Sequence, residues 1–259
     1  MRKTLTKKLA SDNIALGQII ASGLTLIERG RLRIAGLSLT VQAGEIVGLV
    51  GDPGSGKSRS LALIGGMVEP TFGVVRLCGE PLKATQSNSV VGTNLTASGI
   101  MSVEPWLDEL RERTGSHREA RRTRMHKVLK EIGSDELIHG LDQSHGPGVR
   151  SILGLAAALA SDSPVILIDE PMKGLTAERA KHVWKILRKM SRTGKAILIS
   201  VDLSDLDSVH CDRLYLIENG LIARRGTLQD ILGSSYTRRG RWPKWRRMMR
   251  RPGQGEKQA

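Results

Sequence analysis

Runs of apolar residues broken by glycine recur along the chain, and their period separates strands from helices. Over residues 11–50 the pattern predicts strands: Leu37-Ser38-Leu39-Thr40-Val41 alternates, Ala43-Gly44 turns, and Glu45-Ile46-Val47-Gly48-Leu49-Val50 ends in a continuous buried run. Leu61-Ala62-Leu63-Ile64 belongs to a helix predicted to end near Met67. Pro70-Thr71-Phe72-Gly73 is a predicted turn before a strand over Val74-Val75-Arg76-Leu77-Cys78. Residues 79–98, rich in Ser, Thr, Asn and Gly, read as loop, and a short strand is expected from Gly99 to Val103. From Pro105 to about Ile138 the chain is helix-forming and basic, and 149–160 is a helix rich in Leu and Ala. Val165-Ile166-Leu167-Ile168 is a buried strand, and Thr176, with Glu178 in the first turn, caps a helix expected to reach about Met190. Ala196-Ile197-Leu198-Ile199-Ser200 is the next buried strand. Asn219-Gly220, between Leu214–Ile217 and Leu221–Ala223, is a type I′ hairpin signal, and Thr227 starts a last short helix to Leu232. Strands separated by helical crossovers imply an α/β fold with a largely parallel sheet. The stretch 105–148 reads as a helical insertion into it.

Composition narrows the class. At 259 residues the chain fits one α/β domain or two small ones. No apolar run approaches the length of a membrane span, and the basic N-terminus, Met1 to Lys8, lacks the apolar core of a secretory signal. Cys78 and Cys211 fit neither a disulfide framework nor a metal knuckle and are expected as reduced core residues. His117, His126, His139, His145, His182 and His210 show no metal spacing, so no ligand role is assigned to them. The net charge of +14 is concentrated: residues 236–259 hold nine Lys/Arg against one Glu, 1–10 hold four cations, and 111–130 hold eight against two Glu. What remains is slightly acidic, so the body is not a uniformly basic, nucleic-acid-coating surface.

Between the buried run at 45–50 and the helix at 61–64 lies Gly51-Asp52-Pro53-Gly54-Ser55-Gly56-Lys57-Ser58. Strand, glycine-rich loop and helix are the setting in which G-x-x-x-x-G-K-[ST] cradles phosphates. Glycines let the backbone reach positive φ and approach the anion, and successive N–H groups with the helix N-terminus point at it. Lys57 would contact the β/γ-phosphates, and the Ser58 hydroxyl would ligate Mg²⁺. The plain alternative is a glycine-rich turn without a ligand. Downstream, the buried strand delivers Asp169 and Glu170 to its C-terminal end, followed by Pro171. There Asp169 can hold Mg²⁺ through water and Glu170 can polarise an attacking water. The alternative is a buried strand that simply ends in solvated acids.

With both halves in place, residues 20–232 resemble the ATP-binding cassette (ABC) ATPases, the nucleotide-binding subunits of ABC transporters. Ala43-Gly44-Glu45, Cys211-Asp212-Arg213 and the Asn219-Gly220 hairpin followed by Arg225-Gly226-Thr227 carry the likeness further. The resemblance implies a P-loop NTPase core of ABC type, with a mainly parallel sheet, an antiparallel β subdomain and an inserted helical subdomain at about 105–148. It implies a nucleotide-binding domain over 1–235 and a basic tail over 236–259. It also implies ATP and Mg²⁺ at Gly51–Arg59, with two cassettes closing on two ATP molecules.

Departures from the family pattern are specific. Its signature segment falls on His145-Gly146-Pro147-Gly148-Val149, where only Gly148 survives. Gly146 stands at the γ-phosphate-binding serine, and Pro147 lacks a backbone donor. Glu104 is nearest the Q-loop glutamine, Thr176 stands at the D-loop aspartate, and Val201 replaces the switch histidine. Arg59 replaces a second hydroxyl after the lysine, and no aromatic stands near Ile27 and Glu28 to stack on adenine. A narrower likeness is to second cassettes of tandem sugar importers, proteins about twice this length.

Residues 236–251 interleave Trp242, Trp245, Met248 and Met249 with eight cations. That composition suits anionic lipid headgroups or a partner subunit. It also fits nucleic-acid stacking or a solvated tail. The cluster Arg118 to Arg124 reads as a solvated helix face. The expected function is therefore the ATP-binding subunit of an ABC transporter, hydrolysing MgATP to drive solute through transmembrane permease subunits. It would be one half of an asymmetric pair with a non-identical ATPase subunit, peripheral on the cytoplasmic face of the cell membrane. Two other readings are a catalytically impaired ATP-binding scaffold and a soluble cassette ATPase contacting nucleic acid through its tail. The last ranks lowest, because such soluble proteins carry a second cassette.

Overall fold

Alternating burial in the first strands builds a sheet with one wet face. The computed structural model describes residues 17–82, 90–91, 118–138, 147–160 and 163–232. β1 (Ile19–Glu28) turns through Arg29 and Gly30, both at positive φ, into β2 (Arg31–Val41). Chain then passes through β3 (Ile46–Gly51) and α1 (Lys57–Ile64) before β4 (Phe72–Leu77) and β5 (Glu80–Pro81). The antiparallel sheet runs β2-β1-β4-β5, with Ile19, Ala21, Leu24 and Leu26 of β1 facing inward.

The second sheet has six strands in the order β10-β9-β3-β8-β7-β6. Its elements are β6 (Val90–Val91), α2 (Arg118–Ile132), a 3₁₀ turn at Asp135–Ile138, α3 (Pro147–Leu159), β7 (Val165–Ile168) and α4 (Ala177–Arg192). They continue with β8 (Ala196–Asp202), a 3₁₀ segment at Leu203–Ser208, β9 (Arg213–Glu218), β10 (Leu221–Gly226) and α5 (Leu228–Leu232). All neighbours pair in parallel except the β9–β10 hairpin. Because side chains alternate along a strand, the central strands feed two cores. Ile46, Val50, Ile166, Ile168, Ile197 and Ile199 face α2, α3 and α4. Val47, Leu49, Val165, Leu167 and Leu198 face α1 and the antiparallel sheet. Of the helical insertion, α2 sends Met125, Val128, Leu129 and Ile132 into the first core.

Several expectations shift slightly. α1 ends at Ile64 rather than Met67, because Gly65 caps it and Gly66 turns at φ +71°. Phe72 and Gly73 lie inside β4 rather than in a turn; Gly73 adopts φ +94°, and a Cβ there would meet Gly23 O at 2.5 Å. Within the expected loop at 79–98, β5 pairs with β4, and β6 adds an edge strand to β7. α4 runs two residues past Met190, capped by Thr176, whose Oγ1 accepts from Arg179 N at 3.3 Å. The expected strand at 99–103, the parts of the insertion at 105–117 and 139–146, and the tail at 236–259 lie outside the described residues. Both cysteines pack against core, and burial with the neighbouring Asp212 carboxylate pushes the Cys211 thiol up.

Two polar clasps lock the sheets together. Arg213 binds Glu45 through both carboxylate oxygens and donates to Thr40 O at 2.8 Å, joining β9 to the β2–β3 turn. Asp212 accepts from Ile46 N at 2.8 Å and from Arg188 of α4 at 2.9 Å. These contacts bring Ala43-Gly44-Glu45 and Cys211-Asp212-Arg213 together at one end of the sheet. A third link is the Asn219-Gly220 turn, with φ of 52° and 79°. Gly220 N donates to Ser55 O at 2.7 Å, and Gly220 O accepts from Ala35 N at 3.0 Å. A Cβ at Gly220 would lie 2.1 Å from Arg33 O. Gly220→Ala is therefore expected to destabilise the chain by about 2–4 kcal/mol, combining left-handed strain with a backbone clash. A thermal melt within a degree of the parent would contradict this.

Candidate nucleotide site

The loop from Gly51 to Gly56 joins the most buried strand to α1 and has little freedom. A Cβ at Gly51 would lie 2.4 Å from Ser55 Oγ and 2.5 Å from Ile217 O. Gly54 and Gly56 adopt φ of 82° and 115°, which other residues resist. Ser55 N donates to Asp52 O at 3.1 Å, closing the turn, and Ser60 Oγ donates to Gly56 O at 2.9 Å. Asp52, Pro53 and Gly54 are exposed at the tip, and Ser58 and Arg59 are exposed on the first turn of α1. Lys57 is buried, only 4% exposed, and its Nζ has three oxygen partners. They are Gly51 O at 2.7 Å, Asp52 O at 3.1 Å and Asp202 Oδ1 at 2.7 Å. A buried ammonium must be paired, and here the pairing holds it under the loop.

β8 lies between β3 and β7, so polar side chains at its end bridge the loop to the acids of β7. Asp202 sits beside Gly51 in the parallel register, and Ile199 beside Ile168. Ser200 is fully buried; its Oγ donates to Asp169 Oδ1 at 2.5 Å and accepts from Glu170 N at 2.8 Å. One hydroxyl thus orients both acids. Glu170 is at φ +46°, which turns it out of the strand direction, and its carboxylate meets Lys173 Nζ at 2.5 Å. That hydrogen bond, and then the charge of Glu170, raises Lys173 above the ordinary lysine range. Glu170, Lys173, Ser200, Asp202 and Asp205 line one small cleft with Trp184.

Val201 alternates to the opposite side from Ser200 and Asp202 and packs in the core, where it has no polar function. Thr176 keeps the capping job a D-loop aspartate could also perform. Gly148 lies in the first turn of α3, and Pro147 opens that helix at a position where a missing N–H is tolerated. Glu104 and Gly146 lie outside the described residues. Arg59 reaches back to Glu28 at 2.6 Å, and Ile27 beside it is half exposed. Three residues of this site were missed by sequence reasoning: Ser200, Asp202 and Lys173. The available signal was two polar residues at alternate positions ending an otherwise apolar strand. For magnesium, the donor set fits: a hydroxyl at Ser58 and a carboxylate at Asp169 are hard oxygen ligands of the kind it takes together with water.

A family model described as ABC transporter matches residues 34–173. The chain belongs to the ABC transporter family. The Nod factor export ATP-binding protein I of Burkholderia lata is 33% identical over 209 residues, covering 79% of this chain and 69% of that protein. The molybdenum import ATP-binding protein ModC of Mycobacterium tuberculosis is 29% identical over 220 residues, and its match covers 79% of this chain but 59% of its own length. Among solved structures, an ATP-binding subunit of an ABC transporter matches with TM-score 0.71 at 21% identity, covering 82% of this chain and 91% of that one. A dimeric cassette bound to ADP and phosphate matches with TM-score 0.68 at 21% identity, covering 81% of this chain and 98% of that one. The fold is therefore the P-loop cassette fold of ABC ATPases. Among the described residues no helix is long and apolar enough to cross a membrane.

Asp202 occupies the Lys57 ammonium that the sequence pattern assigns to phosphate, and the two are expected to compete for it. Asp202→Asn keeps an oxygen acceptor and removes the charge. MgATP is expected to bind the variant about three- to tenfold more tightly, the scale of one partly exposed ion pair. Calorimetric titration showing equal or weaker binding would remove Asp202 from that competition.

Proposed function

We propose that this chain is the ATP-binding subunit of an ABC transporter and that it hydrolyses MgATP to drive solute through transmembrane permease subunits. The observation that carries the reading is a buried Lys57 under a glycine loop, held by Asp202 at the end of β8, with Ser200 of the same strand holding Asp169 and Glu170 after β7. Backbone N–H groups of Gly54 and of Gly56 to Ser58 point at the phosphates, and Lys57 exchanges Asp202 for phosphate oxygen when nucleotide enters. Ser58 and Asp169 hold magnesium, which when bound neutralises charge developing on the phosphates. Glu170, placed by Ser200, orients and polarises the attacking water once Lys173 lets go.

The membrane partners follow from the family and the named relatives, which are transport ATP-binding proteins of import and export systems. Val201 in place of a polar switch residue, and Gly146 with Pro147 at the signature position, support pairing with a non-identical cassette. Residues 236–251, with eight cations and two tryptophans, suit contact with the anionic inner face of the membrane. The chain would then work on the cytoplasmic side as a peripheral subunit.

A second reading has its own support. Lys57 is tied to Asp202 and Glu170 to Lys173, so both catalytic charges are engaged within the chain. In that reading the subunit binds ATP as a scaffold, and hydrolysis occurs elsewhere in the complex. Phosphate release from MgATP, measured on the chain alone and co-expressed with its permease subunits, separates the two. A subunit that is itself a motor loses about 10²-fold or more on Lys57→Ala or Glu170→Gln. Turnover in the complex that survives both substitutions assigns the scaffold role.

A further inference from the structure

The phosphate loop has two flanks, and they differ in kind. Toward β8 and β7 stand Asp202, Asp169 and Glu170. Toward β9, the loop is stapled by Gly220 to β2, and α1 packs on β2, where a Cβ at Gly56 would lie 2.9 Å from Ile34 Cδ1. On that flank an open depression of about 560 Å³ is lined by Glu28, Arg29, Arg33 and Arg59, all charged. It begins at Arg59, two residues beyond Lys57, and ends on the β1–β2 turn. A triphosphate whose γ end meets Lys57 and the carboxylates has its α-phosphate on the first turn of α1. The nucleoside therefore leaves the loop past Arg59, toward Glu28.

The first aromatic residue in the sequence is Phe72, and it does not line this depression. Among the described lining residues flat base contact is offered by guanidinium planes, which also stack on bases. Among the described lining side chains Glu28 is the one acceptor. Arg59 holds its carboxylate at 2.6 Å, and Arg33 Nε stands 3.7 Å away. A carboxylate has about four acceptor sites and a guanidinium five donors, so Arg59 can hold Glu28 and a phosphate oxygen together. The carboxylate is then fixed at the edge of the base. Guanine offers two adjacent donors along its Watson–Crick edge, N1–H and the 2-amino group. Adenine offers one amino group next to an acceptor nitrogen, which a carboxylate repels.

We infer that Glu28, oriented by Arg59 and Arg33, is a base-specificity residue and that this cassette accepts guanosine triphosphate at least as well as adenosine triphosphate. The inference rests on the nucleotide-binding reading proposed above and deepens it. Arg59 acts on phosphate and on the orientation of Glu28, and Glu28 alone discriminates between the bases.

The test is a direct titration of the purified full-length chain with MgATP and MgGTP. The expected result is a GTP dissociation constant equal to or below that for ATP. Glu28→Gln turns one acceptor oxygen into a donor and is expected to move the ratio of the two constants about tenfold toward ATP. Arg59→Thr is expected to weaken both nucleotides and, by releasing Glu28, to bring the two constants closer together. Glu28 and Arg59 are 29% and 45% exposed, so neither change disturbs the core, and a thermal melt verifies this. Parent protein that prefers ATP, or a ratio unmoved by Glu28→Gln, overturns the base assignment while leaving the phosphate site standing. If neither nucleotide binds a cooperatively melting chain, the nucleotide reading itself fails and the base assignment falls with it.

Discussion

A positive charge without water dictates the arrangement at the centre of this protein. Lys57 is buried beneath its own loop, and a buried ammonium is tolerated only where oxygen ligands replace its hydration. Two of those ligands are carbonyls at the end of β3, and the third is a carboxylate at the end of β8. The loop conformation, the strand order β9-β3-β8-β7 and the alternation within β8 must all be correct for the three to converge. Loop geometry and fold are thus coupled through one side chain, and a phosphate reaching Lys57 would compete with Asp202 for it.

The same economy of contacts organises both flanks. Ser200 serves Asp169 and the backbone of Glu170 together, so one hydroxyl contacts both acids. Gly220 bonds Ser55 and Ala35 in opposite directions, which fixes the loop against the antiparallel sheet. Arg213 and Asp212 tie β9 to the β2–β3 turn and to α4. The central sheet therefore cannot shift against either layer without breaking hydrogen bonds, several of them charge-assisted and partly buried. That rigidity lets the loop hold positive φ at Gly54 and Gly56 and lets Glu170 hold it beside Asp169.

Much of this was legible in the sequence for local reasons. The apolar runs at 46–50, 165–168 and 196–200 became β3, β7 and β8 because strands buried on both faces need no polar alternation. The Asn219-Gly220 turn and the Thr176 cap are decided by φ preferences and side-chain reach within a few residues. Boundaries moved where a distant partner intervened: Phe72 and Gly73 joined β4 because β1 was there to pair with them, and β6 formed only against β7.

By itself, the sequence determined the order of elements, the glycine loop with its lysine, and the strand that delivers Asp169 and Glu170. Each of these depends on neighbours in the chain, through periodicity, turn chemistry and steric freedom at glycine. The tertiary structure alone decided which charges face each other. Asp202 and Lys57 are 145 residues apart, Ser200 and Asp169 are 31 apart, and Arg59 and Glu28 are 31 apart. No local preference encodes these pairings. The first two arise because parallel strands with long crossovers bring their C-terminal ends to one edge of the sheet, where the loop and its helix begin, and the third because the end of antiparallel β1 lies beside that helix.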